Sequence, residues 1–196
     1  MPQKNRKTCA WPGVDEMMRH YHDTQWGTPV HDDRAHFEAV ILDANQAGLS
    51  WRTILHKREN FRRALDNFDY RKVAKYGAKE IRRLMADKGI IRNKLKVLAA
   101  IANAKALMAV QEEFGSFDKY VWRFVGGKTV VNGPDALSGI ASTSKEAIAM
   151  SKDMKKRGFK FCGPAICYAY MQGAGMVDDH LTACFRKKEL AKLRRG

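Results

Sequence analysis

The sequence predicts an all-α fold, on three observations. Apolar residues recur at helical spacing through most of the chain, as in Phe37, Val40, Ile41 and Ala44. Capping residues and Gly or Pro punctuate these runs. No stretch alternates strongly enough to read as a strand.

Asp15 or its neighbour caps a first helical turn through Met17 and Tyr21 inside an irregular N-terminal region, residues 1–31. Asp32 or Asp33 caps a helix over 34–47, which Gly48 ends. Ser50 opens a helix over 51–57, and 59–68 reads as another. Short helices follow at 70–76 and 79–86, broken by Gly89. A longer one covers 93–113 and stops at Gly115. Residues 117–124 form a short aromatic helix, and 126–142 the longest loop, in which 128–132 is a weak candidate for extended chain. Thr143 and Glu146 have capping-box spacing for a helix to about Arg157. Pro164 opens a helix over 164–173, and a last one spans 179–193. Residues 1–196 read as a single domain, long enough to bury a core without disulfides.

Charge narrows the function. The chain has 36 Lys and Arg against 21 Asp and Glu, a net +15. The basic residues cluster at 52–63, 152–160 and 186–195, beside helices and Gly turns. Such an excess attracts polyanions and supports nucleic-acid binding, or is merely a basic, solvated surface. No apolar run is long enough for a membrane span or a secretory signal, which points to an intracellular protein.

Four places carry chemistry. Cys9 and His22 lie near one end, His180 and Cys184 near the other. A helix would put the last two on one face, and two such pairs can complete a tetrahedral Cys2His2 zinc site. Four protein ligands would make that zinc structural. The four can also be unrelated; Cys162 and Cys167 read as core thiols.

Residues 150–173 read as helix, Gly-bounded turn and helix. Gly158 can take positive φ, and Gly163-Pro164 suits a helix entry whose free N–H groups favour a phosphate. Lys155, Lys156, Arg157 and Lys160 surround it. An ordinary αα-hairpin has the same spacing.

The front third is rich in rings: Trp11, Tyr21, Trp26, Phe37 and Trp51. Rings can sandwich an extruded base, though most aromatics are core residues. Asp43 borders the apolar face of its helix. It is either a surface carboxylate or the partner of a cation. Asp178 and Asp179 precede His180; one can orient that imidazole, or face a sugar or a water.

With these residues in view, the chain resembles the 3-methyladenine DNA glycosylase type I family of the helix-hairpin-helix superfamily. The strings are CAW at 9–11, YHDTQWG at 21–27, QAGLSW at 46–51, GIIR at 89–92, KKRGFKF at 155–161, ICY at 166–168 and VDDH at 177–180. The resemblance runs from about residue 9 to 184. It implies an all-helical glycosylase fold with one structural zinc joining the termini through Cys9, His22, His180 and Cys184. It implies that Trp51 stacks on the base, with Trp11 and Tyr21 beside it. The turn at Gly158–Gly163, with Arg157 and Lys160, would grip the DNA backbone.

The implied activity is hydrolysis of the N-glycosidic bond of 3-methyladenine in double-stranded DNA, without a lyase step, in the bacterial cytoplasm at the nucleoid. No obligate protein partner is implied. Asp43 stands where the family has glutamate, Met18 where it has tyrosine, and Gln25 where it has glutamate. Asp178 stands where these enzymes have asparagine and other superfamily members a catalytic aspartate. Asp43 and Asp178 are therefore the catalytic candidates. The departures leave open a shifted substrate range or a non-catalytic lesion binder. The loop 126–142 and the turn near Ser50 are both candidates for wedging the duplex.

Overall fold

A computed structural model describes residues 6–194. The described residues form ten α-helices. α1 (Glu16–Thr24) is capped by Asp15, whose side chain accepts from Met18 N. α2 (Asp33–Gln46) is capped by Asp32. α3 (Trp51–Ala64) is capped by Ser50. It is one helix where the sequence suggested two, because no Gly or Pro interrupts 51–64 and Ile54, Leu55 and Phe61 all face inward.

α4 (Tyr70–Val73) and α5 (Ala78–Ala86) are short. α6 (Lys94–Phe114) is capped by Asn93 and ends at Gly115, φ 82°. It packs against α2, α4, α5 and α7 (Phe117–Trp122). Phe37, Phe68, Leu107, Phe117 and Tyr120 fill the space between these helices at 0% exposure. Each such side chain contributes roughly 1.5–3 kcal/mol of apolar burial.

α8 (Lys145–Lys156) and α9 (Pro164–Gly173) form a hairpin packed together through Met150, Met154, Cys167 and Met171. Ser144, not Thr143, caps α8, accepting from Ala147 N. The cap is displaced by one residue, so the third helical position is Ala147 and Glu146 has lost the capping-box spacing.

The C-terminal expectation needs the larger correction. α10 spans only Phe185–Leu193. Before it, β2 (Val177–Asp178) pairs in parallel with β1 (Val130–Val131), in register Val130↔Val177 and Val131↔Asp178. The extended candidate at 128–132 is thus two paired residues. This minimal pairing leaves the all-α class intact, but His180 and Cys184 share no helix.

Gly175 joins α9 to β2 at φ 71°. A Cβ there would lie 2.4 Å from Thr28 C and Pro29 N. Gly175→Ala should therefore lose about 3 kcal/mol or more in urea unfolding, from positive φ and steric overlap together. A change below 1 kcal/mol would mean that the 28–29 segment yields freely. No helix among the described residues is long and apolar enough to cross a membrane.

Candidate active site and metal clasp

The α1–α3 end of the molecule and the loop before α8 enclose a cleft of about 450 Å³. Trp11, Tyr21, Trp26, Asp43 and Trp51 line it. Each arrives on a different support. α1 carries Tyr21, α2 carries Asp43 and Gln46, and the first residue of α3 is Trp51. Tyr21 lies 5.2 Å from Trp51 and 6.4 Å from Trp11, centroid to centroid, and Trp11 lies 5.2 Å from Trp26. The indole N–H groups of Trp11 and Trp51 are buried with no acceptor among the described residues.

The turn between Gln46 and Trp51 is held from below. The buried Lys96 ammonium donates to the carbonyls of Asn45 and Ala47, each at 2.7 Å. A cation on the last carbonyls of α2 complements the helix dipole and fixes the approach to Trp51. Burial depresses the Lys96 pKa.

Asp43 is only 5% exposed and makes no hydrogen bond or ion pair among the described residues. Burial alone pushes its pKa up to about 8. Burial, and then Asp43 itself, drive the Tyr21 phenol above its ordinary value. The cleft thus holds a carboxylate that pays for ionisation until a cation joins it.

Met18 is buried and does not line the cleft. Gln25 accepts from Arg58 Nη1 at 2.5 Å, part of a tie that also joins Arg58 to Glu38. Sequence reasoning missed three contributors. Leu137, Ile140, Ala141 and Ser142 form one wall. Gln172, at the end of α9, forms another. Asn103 is the third and belongs to the hairpin. None stands in a local pattern; folding alone brings them in.

At the hairpin, Gly158 has φ 93°, and a Cβ there would meet nothing within 4 Å. Gly163 precedes α9 as its cap, with Pro164 in the first turn. The first N–H groups of a helix lack intrahelical acceptors. Asn103 braces the turn from α6: Lys160 N donates to Asn103 Oδ1 at 2.7 Å, and Asn103 Nδ2 to Lys160 O at 3.2 Å. Lys155, Lys156 and Lys160 are exposed. Arg157 differs from the expectation. Its guanidinium pairs with Glu113 at 2.5 Å and Asp153 at 2.7 Å, and lies over the Phe114 and Tyr120 rings. It is engaged within the fold, not offered to a phosphate.

The terminal clasp forms behind the cleft. Cys9, His22 and Cys184 place one ligand atom each within 4.8 Å of the others, all buried. Cys184 Sγ is 3.6 Å from His22 Nε2. His180 stands next to this group, its ring centroid 5.0 Å from that of His22. Asp23 engages His22 Nδ1 at 2.6 Å, and Asp178 engages His180 Nδ1 at 2.9 Å. Both imidazoles are thereby oriented through Nδ1, which leaves Nε2 as the ligating atom. His180 Nε2 is buried without a partner among the described residues. The Cys9 thiol holds Cys184 well below its ordinary pKa, and the same hydrogen bond raises Cys9. Two thiols, one imidazole and an adjacent orphaned imidazole nitrogen suit a metal that takes N and S ligands.

Asp178 belongs to this clasp. It is fully buried. Oδ1 accepts from His180 N and Nδ1, and Oδ2 from Arg194 Nη2 at 2.9 Å. Burial raises its pKa, but the His180 hydrogen bond and the Lys187 charge more than offset this and hold it low. It does not line the cleft.

Rings connect clasp and cleft: Trp26 lies 4.5 Å from His180, and Trp11 lies 5.5 Å from His22.

The chain is similar to known proteins over most of its length. The methyladenine glycosylase family matches residues 11–187. DNA-3-methyladenine glycosylase of Haemophilus influenzae is 42% identical over 176 residues, covering 90% of this chain and 95% of that protein. DNA-3-methyladenine glycosylase 1 of Escherichia coli is also 42% identical, covering 90% and 94%. A crystal structure of 3-methyladenine DNA glycosylase I superposes with a TM-score of 0.89 at 41% identity, over 91% of this chain and 98% of that one. The Staphylococcus aureus enzyme, solved to explain 3-methyladenine recognition, gives 0.89 at 36% identity, over 92% and 96%. The chain is a member of the methyladenine glycosylase family.

Proposed function

We propose that this protein is a monofunctional DNA glycosylase that hydrolyses the N-glycosidic bond of 3-methyladenine in alkylated double-stranded DNA. One observation carries the reading: a buried carboxylate, Asp43, stands without a cation in a ring-lined cleft. Methylation at N3 of a deoxyadenosine makes the purine a cation. That cation completes the charge pair, while Trp51, Tyr21 and Trp11 contact its faces and edges.

Gly158 N already donates to Lys155 O at 3.1 Å, so the hairpin holds the backbone through the N–H groups at the Gly163-capped start of α9 and through Lys160. The damaged nucleotide leaves the stack at a cost of a few kcal/mol. Water oxygen then bonds to the sugar C1′ as the C1′–N9 bond breaks. The bond's electron pair neutralises the purine, and the water proton goes to solvent. The cationic base is already a good leaving group, so little acid catalysis is needed. No lysine lines the cleft to serve as an amine nucleophile, so the strand is left uncut.

Cys9, His22, His180 and Cys184 would hold one structural zinc. When bound it supplies no chemistry to the reaction, only a cross-link between the chain's ends. Asp178 then orients His180 and does not stabilise the sugar cation. Asp178→Asn is expected to weaken metal retention about 10–100-fold while the metal-loaded variant keeps its kcat. A loaded variant with kcat reduced by the same factor would return Asp178 to the chemistry. The substrate places the protein with the chromosome, in the bacterial cytoplasm.

The test is base release from methylated duplex DNA, resolved by chromatography. Free 3-methyladenine with intact strands is expected. Selective, salt-sensitive binding without release would identify a lesion-binding homologue instead, and release of another methylated purine alone would identify a shifted substrate range.

A further inference from the structure

The carboxylate explains attraction to a positive base but not the choice between purines. Methylation at N3 charges guanine as well as adenine, and Asp43 attracts both. The two differ at C6, where adenine carries an amino donor and guanine a carbonyl acceptor. A discriminating group must therefore offer a fixed acceptor in the cleft.

Gln172 meets that requirement. It lines the cleft, and its backbone is anchored where Gly27 N donates to Gln172 O at 3.0 Å. Its side-chain Nε2 donates to Asp179 Oδ2 at 2.7 Å. Asp179 is 2% exposed and also accepts from Tyr168 OH and from Asn132 Nδ2, each at 2.7 Å. Three donors converge on this carboxyl, so it acts as an acceptor on both oxygens. An amide facing such a group must present nitrogen to it; the flipped amide would set oxygen against oxygen. The flip of Gln172 is thus decided, and Oε1 is the end left over. It receives no hydrogen bond among the described residues. Sheet, helix and loop all contribute to this lock: Asn132 follows β1, Tyr168 sits in α9, and Asp179 follows β2.

We propose that Gln172, locked by Asp179, is a specificity-determining residue: its Oε1 accepts a hydrogen bond from the exocyclic amino group of a 3-alkylated adenine and meets the carbonyl of a 3-alkylated guanine with repulsion. Asp43 supplies attraction for the charge, and Gln172 supplies the reading of C6. Asp179 is a positioning residue in this scheme. The inference rests on the function proposed above.

Two measurements test it, one on the base and one on the protein. Tryptophan fluorescence reports binding of free 3-methyladenine and of 3-methylpurine, which lacks the amino group. The unaltered protein is expected to bind 3-methyladenine about 10-fold more tightly. This comparison needs no variant to fold. In Gln172→Met the preference shrinks to about 2-fold or less, and the ratio of 3-methyladenine to 3-methylguanine release from duplex DNA falls by about 10-fold or more. Release of the adenine lesion slows, and release of the guanine lesion does not. Equal binding of the two bases by the unaltered protein, or a full preference retained by Gln172→Met, would overturn the assignment. An unaltered protein that keeps the binding preference but releases no base from DNA would instead sink the proposed hydrolysis and leave the amino-group reading standing.

Discussion

Chelating the clasp metal, or replacing Cys184 by Ser, is expected to lower the melting temperature by on the order of 10 °C. The reason is topological. The N-terminal segment from residue 6 to α1 has little apolar packing of its own beyond Cys9, Pro12 and the half-buried Trp11. It is joined to the C-terminal region by Phe185 N donating to Lys7 O at 2.8 Å and by Leu181 N donating to Cys9 Sγ at 3.5 Å. A metal that binds the folded clasp and not the open chain adds its binding energy to folding. The same loss reaches the cleft, because Trp11 lies two residues after Cys9 and Trp26 packs on His180. Binding of free 3-methyladenine should weaken with the metal removed, and zinc should restore it. Calorimetry with and without chelator, with metal content measured on the same sample, checks this. An unchanged melting curve after complete metal removal would leave the clasp a set of buried thiols and imidazoles.

Asp43→Asn is expected to reduce kcat/KM for 3-methyladenine release by about 100-fold or more, with binding to undamaged duplex unchanged. Removing one partner of a desolvated charge pair costs about 2–5 kcal/mol. The same substitution has an opposite effect on stability. Asp43 has a folded pKa of about 8, raised from 3.8 by burial. A raised carboxyl pKa means that the folded state holds the proton more tightly than the unfolded chain. Stability is then undiminished below about pH 4, declines as pH rises towards 8, and levels off above it. Asn has no such term. The variant should melt above the parent at pH 9 by at least about 1 kcal/mol, or roughly 2–4 °C, and the gap should close towards pH 5. Lower activity with higher stability at alkaline pH is the signature of a group kept for its charge. A variant destabilised equally at both pH values would mark Asp43 as a packing residue.

Much of this was legible in the sequence where the signal is local. α2 and α6 carry long apolar periodicity between a capping residue and a glycine, so their bounds were fixed to within about two residues. Pro164 and Gly163 marked the start of α9 for the same reason. α3 was divided at Arg58, yet that residue is half-buried and tied to Glu38 and Gln25 across the fold, contacts that keep the helix continuous and that spacing does not reveal. The C-terminal helix was extended too far because 179–184 contains no Pro or Gly. What removes it from helix is the β1–β2 pairing and the Asp178 contacts, both of which depend on residues distant in sequence.

Site residues divide in the same way. The four Cys and His residues of the clasp and the rings stand out by residue type. Asp43 stands out by its place on an apolar face. The role of Asp178 is decided by Arg194 and Lys187, which approach only after folding. Arg157 read as a phosphate ligand because its neighbours are basic; Glu113, 44 residues earlier, occupies it. Gln172 is one polar residue at a helix end, and its importance lies in a contact with Asp179 that spacing does not reveal.

The pH dependence of kcat/KM bears most directly on the claim that a buried carboxylate reads a positive base, because this parameter reports ionisation of the free enzyme. On duplex DNA carrying 3-methyladenine, the unaltered protein should gain activity with rising pH and level off near the Asp43 pKa of about 8. Asp43→Asn should be flat and about 100-fold lower at the plateau. An Asp43→Asn variant that matches the parent across this range would contradict the account.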